Sequence, residues 1–212
     1  NKTTLDDFIN NFQQGNVQNG SYLIPEVIAN WPAHGGGTFS HSLAPFVDYN
    51  NDGNYNPMDG DYPSIHGDQE IWFIFNDQRS HMESTCAPMG LEIHGKAYAY
   101  NCDNASPYNE VLNYTTFYQY KIINRSMNTY NQTLIGMMVD PDLGNASDDN
   151  VGSNVSLNTG TCFNLDSIDP GLGGYGLYPP YQNVTILRGP LADPGDGIDN
   201  DKDGVLDEFG EC

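Results

Sequence analysis

The sequence predicts a mainly β fold, an antiparallel β-sandwich with short N-terminal helices and long loops. From residue 70 onward, apolar side chains recur at alternate positions or in short continuous runs, which is typical of strands. The connections between these runs are rich in Asn, Gly and Asp, which favour the tight turns of antiparallel sheets. The region before residue 47 shows a helical period instead.

Two short helices are predicted in this first region. Thr4 is placed as the N-cap of the first helix, with Asp7 at the capping-box position, and Gly15 ends it. A second helical turn is predicted over residues 25–30, with Pro25 at its first position. The face of the first helix that we expect to be buried consists of Leu5, Phe8, Ile9 and Phe12.

The predicted strands share β-branched and aromatic residues and turn signals at their ends. The strand predicted over residues 70–76 is a nearly continuous apolar run, so we expect it to be buried on both faces. The strand over 91–100 alternates small apolar residues with polar and aromatic ones. The strand over 133–139 is expected to pair antiparallel with the one over 114–123. The strands are residues 70–76, 91–100, 114–123, 133–139 and 184–187.

The charge of the chain excludes two classes of partner. Its 212 residues carry 28 acidic and 7 basic side chains, for a formal net charge of −21. Nucleic acids and anionic membranes would be repelled by this charge. No stretch approaches the roughly 20 apolar residues of a membrane span, so membrane insertion is not expected.

The strongest motif is the oxygen-rich stretch 48–61. Its side chains fall on the ligand positions of a twelve-residue calcium loop, with Gly53 at the position of the sharp turn. The flanks contain Pro and no helical period, so the loop is used without the usual helix pair. The alternative is a solvated turn rich in Asn and Asp. The predicted ligands are Asp48, Asn50, Asp52, the carbonyl of Asn54, Asn56 and Asp59, the last standing where Glu is usual.

Two further acidic segments are candidate cation sites, so we expect two or more calcium ions. The first follows the predicted strand 133–139, and its alternative interpretation is an exposed acidic loop. The second is the acidic tail, in which every candidate ligand is an oxygen, as calcium prefers. The three predicted regions are residues 1–47 (helices), 48–190 (β-sandwich) and 191–212 (acidic junction). The candidate ligands are Asp140, Asp142, Asp148 and Asp149 in the first segment, and Asp196, Asp199, Asp201, Asp203, Asp207 and Glu208 in the tail.

Four cysteines, Cys86, Cys102, Cys162 and Cys212, contain no CxxC pair, which argues against zinc or a redox dithiol. They are compatible with disulfides in an oxidising compartment. Three pairings are open, and Cys86–Cys102 is disfavoured because an extended strand between them would span about 40 Å.

We expect the chain to be a mature or excised piece of a longer protein, since it starts without Met.

Six motifs follow one another along the chain, at residues 30–35, 43–77, 90–100, 115–126, 140–152 and 193–208. Together they resemble large secreted surface proteins of Bacteroidota that carry a C-terminal type IX secretion sorting domain. The resemblance implies a secreted, extracellular or cell-surface location and calcium binding. The stretch 48–61 also resembles the loops of dockerin and thrombospondin type 3 repeats, and the tail resembles aspartate-rich metal-binding repeats. Asp166-Ser167-Ile168 is similar to the O-glycosylation signal of that phylum, which makes Ser167 a candidate site.

No catalytic signature is present in the sequence. The histidines are scattered, and HExxH, GxSxG and phosphate-binding Gly-rich motifs are absent, so we do not expect an enzyme. The leading hypothesis is a calcium-stabilised structural or adhesive module that associates with itself or with other surface proteins, as a subunit of an extracellular assembly or filament. The alternative is a carbohydrate-binding or accessory module of a secreted polysaccharide-processing enzyme, suggested by the aromatic side chains of Tyr98, Tyr100, Tyr175 and Tyr178.

Overall fold

The computed structural model describes residues 1–36, 41–79, 86–103, 106–131 and 133–190. Most of its regular structure consists of strands in antiparallel sheets, which confirms the mainly β class. The chain divides into two compact units, Asn1–Thr129 and Tyr130–Cys212. The boundaries predicted from the sequence, after residues 47 and 190, stay predictions. Within the described ranges, no helix has the length and apolar character needed to cross a bilayer.

The N-terminal helix, α1, spans Lys2–Gln13 and begins earlier than predicted. Asn1 is its N-cap, because the Asn1 Oδ1 accepts a hydrogen bond from the backbone N–H of Thr4 at 2.9 Å. The prediction that Thr4 caps the helix is therefore wrong. A second short helix, α2, spans Glu26–Ala29. Pro25 occupies its N-cap position without a side-chain capping bond, one residue before the first helical position, where the sequence had placed it.

The hydrophobic core of the first unit lies between these helices and the segment that follows them. Phe8 and Ile28 are fully buried at its centre, with Leu5 and Val17 beside them. Partly buried side chains, among them Phe12, extend this core. Burial of this apolar face, rather than helix propensity, supplies most of the stability of so short a helix.

Three strands form an antiparallel meander after the core. The central strand, β4, pairs with β3 on one side and with β5 on the other. A short two-stranded ribbon of β1 and β2 precedes it and brackets the oxygen-rich loop. A helix that the sequence analysis missed, α3, connects β4 to β5. The bounds are β1 Phe46–Val47, β2 Tyr62–Pro63, β3 Gln69–Asn76, β4 Leu91–Ala99, α3 Pro107–Asn113 and β5 Thr116–Asn124.

The two faces of this three-stranded sheet differ in character. On one face, Trp72 lies opposite Lys96, which lies opposite Gln119. On the other face, the ring of Phe73 covers Gly95, where no side chain larger than hydrogen fits. The strand β3 is an edge strand, and its Ile71 is 61% exposed. The prediction that it is buried on both faces is therefore wrong.

The second unit contains a three-stranded antiparallel sheet in the order β10-β7-β6 and a two-stranded ribbon of β8 and β9. The sequence analysis missed β6 and β7, because their polar residues give no hydrophobic alternation. It placed β10 two residues too far along the chain. The bounds are β6 Asp149–Asn154, β7 Thr159–Asn164, β8 Ile168–Asp169, β9 Gly176–Leu177 and β10 Gln182–Thr185.

The strand predicted over residues 133–139 is wrong. These residues are described and form no strand, and Leu134 and Met138 are 96% and 91% exposed. A strand requires hydrogen bonds from a neighbouring strand, which apolar residue types alone do not supply. The neighbour of β5 in the sheet is instead β4.

Candidate calcium sites

The first half of the oxygen-rich loop is folded around the Asp48 carboxylate. Asp48 Oδ2 accepts a hydrogen bond from the N–H of Gly53 at 2.8 Å, and Oδ1 accepts one from the N–H of Asp52 at 3.2 Å. Gly53 has a φ of +80°, which a glycine adopts without strain. The chain therefore makes its sharp turn at the glycine predicted to supply it.

The carboxylate of Asp52 lies within the same half-loop. Its Oδ1 accepts a hydrogen bond from the N–H of Asn54 at 2.7 Å, and its Oδ2 accepts one from the Asn50 amide at 3.0 Å. These bonds, with that from the Asn54 backbone the strongest, hold the pKa of Asp52 below its ordinary value. Because the side chains of Asn50 and Asp52 are exposed to solvent, the half-loop is open to an ion.

The second half of the loop forms a separate hydrogen-bonded turn. Asn56 Oδ1 accepts from the N–H of Met58 at 3.1 Å, and the Asn56 amide donates to Asp59 Oδ2 at 2.6 Å. In the described residues no hydrogen bond joins Asn56 or Asp59 to the ligands of the first half. Nor does the described part of the chain bring three or more His, Cys, Asp or Glu side chains together in a group that could hold a metal. The complete six-residue ligand set stays a prediction.

A buried carboxylate outside the predicted ligand set closes the loop. Asp61 is fully buried, and it accepts hydrogen bonds from the N–H of Tyr49 and the N–H of Asn56, each at 2.8 Å. It therefore joins the two ends of the loop. Sequence reasoning assigned Asp61 no role, and the available signal was its position two residues beyond the loop, beside β2.

Contacts from the loop reach the hydrophobic core. The ring of Tyr49 packs edge-on against Phe12 with centroids 5.3 Å apart. The hydroxyl of Tyr55 donates to the carbonyl of Ile28 at 2.6 Å. His34 Nε2 accepts from the N–H of Tyr55 at 2.9 Å, so its Nδ1 carries the proton that is donated to the His41 carbonyl at 3.0 Å. His34 thus acts as a structural support.

The second predicted segment is partly brought together in the second unit. Asp149 lies opposite Asn164 in the β6–β7 pairing, and its Oδ2 accepts from the N–H of Leu143 at 2.8 Å. Asp148 Oδ2 accepts from the Asn164 amide at 3.3 Å. Asp140, by contrast, is exposed. Sequence reasoning missed Asn164, because its place beside the two aspartates depends on the unpredicted pairing of β6 with β7.

Three oxygens of this cluster are buried without a hydrogen-bond partner in the structure. They are Asp148 Oδ1, Asp149 Oδ1 and Asn164 Oδ1. Burial raises the pKa of the neighbouring Cys162 thiol, and the carboxylates of Asp149 and then Asp142 raise it further. These three oxygens are therefore shielded from solvent, although Asp148 and Asp149 as whole residues are only half-buried.

Another buried carboxylate supports this region as Asp61 supports the first loop. Asp169 is 1% exposed, and its two oxygens accept from the N–H of Asn145 at 3.1 Å and of Tyr175 at 2.7 Å. Asp169 thus joins the turn that precedes β6 to the ribbon of β8 and β9.

The remaining candidate residues are Asp142, which is exposed, the cysteines, Ser167 and the acidic tail. No disulfide links the described cysteines Cys86, Cys102 and Cys162, and the Cys162 side chain is 2% exposed. Ser167 is exposed in the turn between β7 and β8, which leaves its modification a prediction. Outside the described residues lie Asp196, Asp199, Asp201, Asp203, Asp207, Glu208 and Cys212.

A cleft of about 550 Å³ lies over the polar face of the first sheet. Trp72, Lys96, Gln119 and Lys121 line it, together with His94 and Arg125. Glu92 at one end accepts from Arg125 at 2.7 Å and lies 2.8 Å from His94 Nε2. The Arg125 hydrogen bond, more than any other contact, lowers the pKa of Glu92. This cleft holds three of the seven basic residues of the chain.

The tyrosines considered for sugar binding are divided between the two units. Tyr98 stacks on Phe117 with centroids 5.3 Å apart, and Tyr100 packs edge-on against both rings. Tyr175 and Tyr178 belong to the other unit, where they are 59% and 82% exposed. Tyr98 and Tyr100 therefore serve mainly in packing.

Comparisons with protein families, with curated proteins and with solved structures gave no match to this chain.

Proposed function

We propose that this chain is a calcium-stabilised structural or adhesive module that works outside the cell. The observation that carries the proposal is the loop from Asp48 to Asp61. Its turn at Gly53 is already formed by hydrogen bonds to Asp48, and Asp61 ties it to the protein interior. An ion bound here would stabilise the surrounding fold by an amount that grows with the logarithm of the free ion concentration above its dissociation constant.

The core contacts explain why calcium would matter for the whole first unit. Tyr49 and Tyr55 connect the loop to Phe12 and Ile28 of the helical core. Calcium binding at the loop would therefore stabilise that core. Extracellular calcium-binding modules have dissociation constants of about 10⁻⁴–10⁻³ M, which suits a site that is filled by the calcium outside the cell.

The remaining parts of the proposal come from the sequence. For the fold, they propose an antiparallel β-sandwich. For the function, they propose export to the cell surface, association with itself or with other surface proteins, and no catalytic activity. The strong negative charge favours a site filled by cations over one that binds polyanions such as nucleic acid. Electron microscopy of native material for regular filaments tests the assembly.

The calcium function is tested by unfolding Asp52→Ala with calcium and with excess chelator. We expect the variant to melt below the wild type in calcium and together with it in chelator, because the lost carboxylate matters only when an ion is bound. Asp6→Ala, on the exposed face of α1, is the matched control and should melt like the wild type in both. Equal destabilisation of Asp52→Ala in both conditions contradicts the proposal.

A second candidate function, carbohydrate binding, is favoured by the cleft on the first sheet. Trp72 offers an aromatic surface, Gln119 offers amide hydrogen bonds, and the Lys121 ammonium forms no ion pair with any described residue. This combination suits a sugar that carries carboxylate or sulfate groups.

Glycan-array binding of the wild type, Trp72→Ala and Lys121→Ala tests this second function. We expect acidic glycans to be retained by the wild type and lost by both variants. Lys2→Ala, which removes the same charge from α1, is the control. Binding that is absent in the wild type, or unchanged in all three variants, removes carbohydrate recognition from consideration.

A further inference from the structure

We propose that Asp148, Asp149 and Asn164 bind one calcium ion between the turn before β6 and the β6–β7 hairpin. This site is separate from the loop at Asp48 and lies in the other compact unit. It extends the proposed calcium function to a second place, and each site is tested by its own variants. One can therefore fail while the other stands.

The first argument is the burial of oxygens that lack donors. Asp148 Oδ1, Asp149 Oδ1 and Asn164 Oδ1 are each shielded from solvent and receive no hydrogen bond from the protein. Leaving such groups unsatisfied is costly, and charged ones most of all. Asn164 as a whole is only 8% exposed, and its amide is directed at Asp148. A cation would satisfy all three oxygens at once.

The second argument is charge. The described residues of this unit contain six aspartates and a single basic residue, Arg188. No ion pair joins Arg188 to Asp148 or Asp149. Two adjacent carboxylates with buried oxygens repel each other unless a positive charge lies between them. No described side chain of this unit supplies that charge, and a bound cation would.

The third argument concerns which cation fits. Carboxylate and amide oxygens are hard ligands, which suit calcium and magnesium rather than zinc or copper. Backbone carbonyls and water complete a calcium shell more readily than the strict octahedron of magnesium. Calcium is therefore the ion expected.

Calorimetric titration of the full chain with calcium chloride tests the site through two variants with opposite expectations. Asp149→Asn removes a charge but keeps an oxygen for the N–H of Leu143, so the calcium affinity of one site in the titration should fall about tenfold or become too weak to detect. Asn164→Asp adds a charge at the same place, so the calcium affinity of that site should rise. Asp6→Asn is the control, because it removes an exposed charge at a residue outside every predicted ligand set.

Thermal unfolding in excess chelator supplies a second, independent readout. Without calcium, Asp149→Asn should melt at or above the wild type, since it relieves repulsion, and Asn164→Asp should melt below it. With calcium the order should reverse. An unchanged calcium titration for both variants overturns the proposal, as does the same order of melting with and without calcium. The latter would mean that water, rather than an ion, satisfies the buried oxygens.

Discussion

The loop at Asp48 and the cluster at Asp148 use the same residue types in opposite ways. In the loop, the carboxylate of Asp48 accepts hydrogen bonds from backbone N–H groups, and the side chains of Asn50 and Asp52 are exposed. In the cluster, one carboxylate oxygen of each aspartate, Asp148 Oδ1 and Asp149 Oδ1, is shielded from water and lacks a donor. The loop is organised by its own backbone, whereas the cluster is the place where the proposed cation would add what the backbone does not supply.

This difference indicates that an acidic motif in the sequence does not by itself predict how strongly the local conformation depends on a bound ion. A loop whose hydrogen bonds are complete keeps its shape when the ion leaves. A cluster with unsatisfied buried oxygens carries an electrostatic cost that a bound cation would remove. We therefore expect the better sequence motif to depend less on calcium for its conformation.

The largest effect is expected at the buried carboxylates that support both regions. Asp61→Ala leaves the N–H groups of Tyr49 and Asn56 without an acceptor, and should cost about 2–4 kcal/mol of unfolding free energy. The loss should be the same with calcium and with chelator, because Asp61 acts through the backbone. Urea unfolding measures it, and Asp61→Asn, which keeps one acceptor oxygen, should lose less.

If the unfolding free energy lost in Asp61→Ala depended on calcium, Asp61 would be part of the ion site. That result would contradict the contrast drawn between the loop and the cluster. Asp169→Ala gives the corresponding measurement in the second unit. It also leaves two N–H groups, those of Asn145 and Tyr175, without their acceptor.

The next effect is the response of each region to chelation, measured by amide hydrogen exchange. We expect exchange to rise more over Asp149–Asn154 than at the N–H groups of Asp52 and Gly53. The reason is that β6 begins with Asp149, one of the proposed ligands, whereas the loop amides keep their carboxylate acceptors. The amides of β4, which carries none of the proposed ligands, provide the internal reference. A larger change in the loop than in β6 would reverse the comparison.

The smallest effect is the pH response of the exposed loop. The Asn54 and Asn50 contacts lower the pKa of Asp52 in the folded state. A carboxyl with a lowered pKa contributes stability above its unfolded pKa and loses that contribution as the pH falls through the folded pKa. The loop should therefore stay intact below the ordinary range of aspartate. Carboxyl chemical shifts followed by NMR would show it, and an Asp52 midpoint at or above the ordinary value would disprove it.

The sequence predicted those features that depend on neighbouring residues. The strands around Ile74 and Ile93 and the turn at Gly53 follow from residue type and spacing, and the structure contains them. The strand predicted at Leu134 failed because pairing depends on a partner elsewhere in the chain. Asn164 was missed for the same reason. It joins the cluster only through its pairing opposite Asp149, and no local pattern marks a polar strand.

The hydrogen bond between Tyr49 and Asp61 has a consequence for the order of folding. It closes a segment of only twelve residues, and closing so short a segment costs little chain entropy. Contacts of low sequence separation form early, before distant strands can meet. The oxygen-rich loop should thus be present in the folding transition state, so that calcium bound there would accelerate refolding more than it slows unfolding.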